Sequence, residues 1–250
     1  MFKGFYNLTS GMLTQRQRLN TIANNLTNIS TSGFKSSRHI IGNFDDVLYS
    51  RVGNQENSGY QPIGNQSYIV ATDEIVTDYT QGALEQTGIA LDFAIDGEGF
   101  FALRNENGET MYTRSGSFSL DEQGYLCYSG FGRVLGSDGN ELRVMTDKIT
   151  GDTDGNIYAT NGYHLGRIGV FTFEDTAQLE YNDQGLRIGA EGQVNDTAVV
   201  RWGFLERSNV DMISQMTEML SSQRAFQSAA QVTKIYDSLM NKITSEIGRV

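Results

Sequence analysis

Apolar residues near the start of the chain fall at Phe5, Leu8, Met12, Leu19, Ile22, Leu26 and Ile29, alternately three and four positions apart. Gln15 is the one polar member of the series. This is the a/d seam of a helix built to lie against another helix, kept over almost four heptads. It predicts a helix ending near Asn28 to Thr31, where Ser30-Thr31-Ser32-Gly33 favours turns and Gly33 suits a left-handed stop. Gly4 and Gly11 interrupt the helix at about 1 kcal/mol each relative to alanine. The segment is therefore expected to be ordered chiefly by what it packs against.

A second helical pattern runs from Asn209 to Ile247, with Ser208 expected to cap it and Asp211 at the capping-box position. Its apolar residues change sides. Met212, Met216, Met219 and Leu220 centre on one direction, and Val232, Ile235, Tyr236, Leu239 and Ile243 on a direction roughly 170° away. One partner helix cannot cover both. Leaving Val232, Tyr236, Leu239 and Ile243 in water forgoes about 1.5–3 kcal/mol each. The total, roughly 6–12 kcal/mol, rivals the stability of a typical domain. The plain alternative, a hairpin of the two helices packed on the rest of the chain, leaves one of these faces bare.

The pattern between the helices is that of strands. Leu91 to Ile95 alternates, Phe100 to Arg104 follows, and Asn107-Gly108 is a hairpin signal before Met111 to Arg114. Further turn pairs stand at Gln123-Gly124, Asp138-Gly139, Asp154-Gly155 and Gln184-Gly185, with late strands at Arg167 to Phe173 and Ala198 to Leu205. Residues 36–81 read as an extended connector. It includes a helix-like piece at Phe44 to Tyr49, a polar stretch holding Pro62, and strand character from Ser67 to Val76. The predicted organisation is α+β: an N-terminal helix in 1–35, the connector in 36–81, a β-rich outer domain in 82–205 and a C-terminal helix in 206–250. The two terminal helices are expected to pair as a coiled-coil core.

Charge sharpens this division. Residues 1–44 carry five basic side chains and no acid, residues 206–250 carry five of each sign, and residues 45–205 carry 9 basic and 25 acidic ones. An acidic middle between basic or neutral ends suits a solvated exterior attached to a less charged packing element. The N-terminal positives are scattered, which argues against nucleic acid as a partner. Neither a continuous apolar signal core nor a membrane-length apolar run is visible, so no direct membrane insertion is expected. By these signs alone the chain belongs in the cytoplasm.

Candidate chemistry is sparse. Gly97-Glu98-Gly99-Phe100-Phe101-Ala102 fits a loose dinucleotide pattern but opens an aromatic strand, where the mechanism needs a helix N-terminus. Asp152-Thr153-Asp154-Gly155-Asn156 resembles the start of a calcium loop, yet the twelfth position is Tyr163 where a bidentate glutamate is required. The single cysteine, Cys127, has neither His39 nor His164 close in sequence, and both histidines are expected at the surface or in turns. Carboxylate pairs such as Asp45-Asp46 and Asp121-Glu122 are ordinary in turns. No catalytic residue, cofactor or metal is expected.

Several blocks together resemble the rod proteins of the bacterial flagellar axial family. They are Leu19-Asn20-Thr21-Ile22-Ala23-Asn24-Asn25-Leu26-Thr27-Asn28 with Thr31-Ser32-Gly33-Phe34-Lys35, Gln81 to Gly88 with Leu91 to Phe101, and Tyr112 to Phe118. Leu205 to Asp211 and Gln223-Arg224-Ala225-Phe226 follow, with Phe226 where the family usually has tyrosine. The resemblance implies terminal helices that stack with those of other copies into a hollow helical tube, with a β-rich part facing outward. It also implies export through the flagellar type III apparatus without a cleaved signal, which overrides the cytoplasmic expectation. The implied location is the flagellar basal body, on the periplasmic side of the cell envelope. Partners are further copies, other rod and hook proteins, the export apparatus and ring proteins around the rod. The expected contact residues are Phe5, Leu8, Met12, Leu19, Ile22, Asn24, Asn25, Leu26 and Ile29 at one end. Met216, Leu220, Gln223, Arg224, Phe226, Val232, Tyr236, Leu239 and Ile243 are expected at the other. A hook or hook-junction subunit is the alternative within the family. An envelope glycan hydrolase using acids such as Asp73 and Glu98 is the alternative outside it.

Overall fold

The computed structural model describes residues 2–43, 47–51, 61–66, 70–174, 179–181, 187–188 and 192–247. The chain is of mixed α+β class, with a long helix at each end and a β-rich region between. It divides into two compact units. A helical unit combines Met1–Thr27, Ser37–Asp78 and Asp211–Val250, and a β unit combines Asn28–Ser36 with Tyr79–Val210.

In the helical unit, α1 spans Phe2–Thr27 and α2 spans Met212–Ile247. Thus α1 stops short of Gly33. That residue is left-handed, with φ 69°, but lies in a loop of the β unit, where its amide donates to the Glu206 carbonyl at 2.8 Å. The cap of α2 also differs from the expected Ser208. Asp211 accepts from the Ile213 amide at 3.2 Å, the Ser214 amide at 3.4 Å and the Ser214 hydroxyl at 2.6 Å, so the helix begins three residues later than Ser208 suggests. Led by the Ser214 hydroxyl, these bonds hold the Asp211 carboxyl below its ordinary range.

The stretch expected to be a connector carries four strands. β1 (Ser37–Asn43) pairs antiparallel with β4 (Val70–Thr77), and β2 (Val47–Arg51) with β3 (Gln61–Gln66). Val47 to Tyr49, read as helix-like, therefore lies in a strand, while Phe44 and Asp45-Asp46 fall outside the described residues. Pro62 faces Ser50 beside a register shift, the irregular kind of position where a missing amide is tolerated. Two-stranded ribbons are marginal alone; here β1 and β4 pack on α1.

The β unit is organised on β7 (Phe100–Arg104). It pairs with β8 (Thr110–Thr113) on one side; on the other, Phe100 and Phe101 pair with β15 (Val170–Thr172) and Leu103 and Arg104 with β11 (Gly132–Val134). Both faces of β7 are buried. Phe101 and Leu103 enter a core with Phe93, Phe118, Leu126 and Ile157, whereas Phe100 and Ala102 join Tyr112, Leu135 and Phe171. The same holds for β6 (Phe93–Asp96): Phe93, Ala94 and Ile95 are all buried, so the apparent alternation there does not mark a solvent face. Ala198 to Leu205 divides at Gly203 into β19 (Val199–Trp202) and β20 (Phe204–Glu206).

One turn recurs through this unit. Gly108, Gly124, Gly139, Gly155 and Gly162 each donate an amide to the carbonyl three residues earlier, with φ between 74° and 83°. The left-handed fourth position explains the Asn-Gly and Asp-Gly pairs. It also makes Asp152 to Asn156 one of these turns. Gln184-Gly185 lies outside the described residues.

Candidate assembly interface

α1 and α2 pack antiparallel within the helical unit. Asn25 Nδ2 donates to Gln215 Oε1 at 3.2 Å, Arg18 pairs with Glu218, and the Thr233 hydroxyl approaches Met12 Sδ at 3.7 Å. The seam residues of α1 are drawn inward: Ile22 is buried, and Phe5, Leu8, Met12, Leu19 and Leu26 are half-buried. Ile29 is half-buried too, but beyond the helix, in the loop of the β unit.

α2 uses a different face from either apolar one. The residues that lose exposure run Gln215, Glu218, Ser222, Phe226, Ala229, Thr233, Tyr236 and Met240, three or four apart. This stripe is largely small or polar. Meanwhile Met216, Leu220, Val232, Leu239 and Ile243 are exposed, joined by Met212, Ile213 at 77% and Ile235 at 60%. Tyr236, grouped by angle with Val232 and Leu239, turns inward instead. Gln223, Arg224 and Asn24 are exposed. The helix pair thus leaves both apolar faces of α2 uncovered.

Asn25 is buried and engaged inside its own chain. Its Nδ2 donates to the Ser37 carbonyl at 2.8 Å, and the Ser37 amide returns a bond to Oδ1 at 3.1 Å, fixing the start of β1. His39, expected at the surface or in a turn, lies half-buried in β1. Burial lowers its affinity for a proton more than a bond to the Gln17 backbone raises it. Its Nδ1 and the Gln15 Oε1 are buried without a hydrogen-bond partner.

The remaining blocks singled out in the sequence converge inside the β unit. Glu206 accepts from Lys35 Nζ at 2.6 Å, Arg114 Nε at 2.5 Å and the Gly82 amide at 2.8 Å. Lys35 also donates to the Thr80 carbonyl at 2.7 Å, and Arg114 donates to the carbonyls of Ile95, Gly97 and Gly99. The Gly-Glu-Gly turn that suggested a nucleotide loop is thus the carbonyl cradle of a buried arginine.

The acids considered for hydrolysis belong to different units. Glu98 is exposed in that turn, and Asp73 belongs to β4 with its side chain outside the described residues. A cleft of about 740 Å³ elsewhere in the β unit includes Asp121, Cys127, Arg133 and Glu141. There Arg133 bridges both carboxylates, Asp121 at 2.8 Å and Glu141 at 2.9 Å. Partial burial pushes Asp121 up, but bonds from the Tyr125 amide, Arg133 and the Gln123 amide outweigh it and hold the carboxyl below its usual range. Asp121 is therefore held as a carboxylate and is not poised to carry a proton at neutral pH. Among the described residues no cluster of metal-ligating side chains occurs, and no helix is long and apolar enough to cross a membrane.

Comparison with known proteins agrees with the ordered blocks. Residues 5–35 match the family model "Flagella basal body rod protein", 94–196 match "Flagellar hook protein FlgE/F/G D1 domain", and 202–246 match "Flagellar basal body rod FlgEFG protein C-terminal". The chain is 31% identical to the flagellar basal-body rod protein FlgG of Bacillus subtilis, over 98% of this chain and 99% of that one. The chain belongs to the flagellar basal-body rod protein family. Within this rod family it is also 30% identical to FlgG of Borreliella burgdorferi, over 96% of this chain and 97% of that one. It is 29% identical to the hook-basal body complex protein FlhO of Bacillus subtilis over the full length of both. As a rod protein, its two terminal matches include most of α1 and most of α2, and the internal match lies within the β unit.

Proposed function

We propose that this chain is a structural, non-catalytic subunit of the flagellar basal-body rod, and that copies of it associate through their terminal helices into a hollow helical shaft. The observation that carries this reading is the bare face of α2. Met216, Leu220, Val232, Ile235, Leu239 and Ile243 are exposed on a helix whose own partner covers a small, polar stripe. Each such side chain stabilises a contact by about 1.5–3 kcal/mol when buried. A neighbouring copy supplies that cover, and the helices then form the coiled-coil core that the α1 seam favours. The β unit, with its acidic residues, forms the outer surface. The wider setting is export through the flagellar type III apparatus without a cleaved signal, and contact with hook and ring proteins on the periplasmic side of the envelope. Rod relatives spanning nearly the whole chain favour a rod over a hook subunit.

Leu239→Asp tests the reading. Leu239 is 53% exposed, so the monomer should keep its stability within about 0.5 kcal/mol. Assembly, followed by sedimentation and electron microscopy of purified protein, should be abolished. Normal tubes from Leu239→Asp would contradict the assignment of this face.

A further inference from the structure

Glu206 stands where four stretches of chain distant in sequence come together. Its side chain is fully buried, and the Lys35 and Arg114 side chains that share it are 3% and 6% exposed. We propose that these three residues form a closing lock, which makes the order of the loop Asn28–Ser36 and of the strand β20 conditional on each other. Two buried cations meet one anion. If Glu206 is missing, Lys35 and Arg114 are like charges facing each other in a dry site, which neither can occupy alone without severe desolvation.

The surrounding backbone tightens the condition. A Cβ at Gly82 would lie 2.0 Å from the Arg207 carbonyl oxygen, and one at Gly116 would lie 1.6 Å from that of Phe93. Chain is laid directly on chain, so each segment seats only against the others. The loop is held further by the Gly33 amide on the Glu206 carbonyl and the Ser36 amide on Asn209 Oδ1, both at 2.8 Å. On the opposite side the Arg207 amide reaches the Ala83 carbonyl at 2.9 Å. Lys35 follows the end of α1 at Thr27, and Glu206 precedes the start of α2 at Met212. The lock therefore ties together, inside the β unit, the two points of chain from which the helices depart.

Hydrogen exchange on the dilute full-length monomer tests the lock independently of assembly. In Glu206→Gln, protection of the Gly33, Ser36 and Gly82 amides should fall together by at least about a hundredfold. The Leu126 and Leu135 amides, bonded within the β core to Leu142 and Ala102, should be unchanged. Adding Lys35→Met to Glu206→Gln should restore about tenfold, because it removes a stranded cation. Loss confined to Gly82, or losses that merely add in the double variant, would overturn the lock. If Glu206→Gln does not fold, Lys35→Met alone decides. Protection should fall at Gly33 and Ser36 and also across the lock at Arg207. An unchanged Arg207, or core amides failing in step with the loop, would overturn it.

Discussion

Among the described residues, all the fully buried apolar side chains but Ile22 lie in the β unit. The exposed ones are distributed the other way. Of the twenty large apolar residues exposed among the described residues, only Ile89, Met145, Tyr163, Val194, Val199 and Trp202 belong to the β unit; the rest are on α1, the ribbon and above all α2. The β unit meets the ordinary requirement of a domain, a dry core on both faces of a central strand. The helical unit does not. Its helices have the length and periodicity of stable elements, yet among the described residues they bury one apolar side chain, Ile22. Local order and self-sufficiency are separate properties, and this chain assigns them to different regions.

The contrast is broken most directly by core substitutions. Phe101, fully buried between strands, should cost about 3–5 kcal/mol as Phe101→Ala, read as a lower denaturation midpoint of the β unit. A truncation on the exposed side of α2, Ile235→Ala, should leave the monomer within about 0.5 kcal/mol. A similar loss at both sites would mean that the helical unit hides a core of its own.

Acid should separate the two regions as well. The folded chain holds His39 below its ordinary 6.5 by burial, so it binds fewer protons than the unfolded chain just below that pH. The His39 contribution is complete above pH 6.5 and declines as pH falls through 6.5 toward the folded value. Asp121, Asp138 and Asp211 are held below 3.8 by hydrogen bonds and act later, losing their contributions as pH falls from about 3.8. Protection factors of ribbon amides, corrected for the intrinsic exchange rate at each pH, should fall between about pH 7.5 and 5 before any change in the β core, and His39→Gln should flatten that slope. A simultaneous fall in protection in both units would remove the distinction.

A smaller effect sharpens it. A Cβ at Gly11 meets open space, so Gly11→Ala should stabilise α1 by about 0.5–1 kcal/mol in the monomer, seen as a higher helix melting point. If Gly11→Ala also weakens assembly, a neighbouring backbone approaches α1 there.

Much of this contrast is legible in the sequence, and the failures have physical causes. The three-four spacing from Phe5 to Leu26 marks the face of α1 that turns inward, because apolar periodicity records burial. The inward stripe of α2 leaves no such record, since Ser222, Thr233 and Gln215 are not hydrophobic. Only the misplaced apolar residues point to it. Glycine after Asn or Asp locates turns, for the left-handed position has few other occupants. Within 36–81 the sequence marks only the strand ending near Val76; β1, β2 and β3 escape notice because polar, irregular strands with a proline carry little alternation. Ser208 looks like a cap, and Asp211 proves to be one because its carboxylate reaches two amides where the helix starts. Lys35, Arg114 and Glu206 are isolated charges in separate blocks, and no local pattern reveals that they share one buried site.

The central claim concerns what a solitary copy leaves unfinished. Amide exchange of α2 between Val232 and Ile243 should be measured in dilute monomer and again in sedimented assemblies. Fast exchange in the monomer and strong protection in the assembly are predicted, with the β core protected in both. Equal, strong protection of that stretch in a monomer that does not associate would contradict the account.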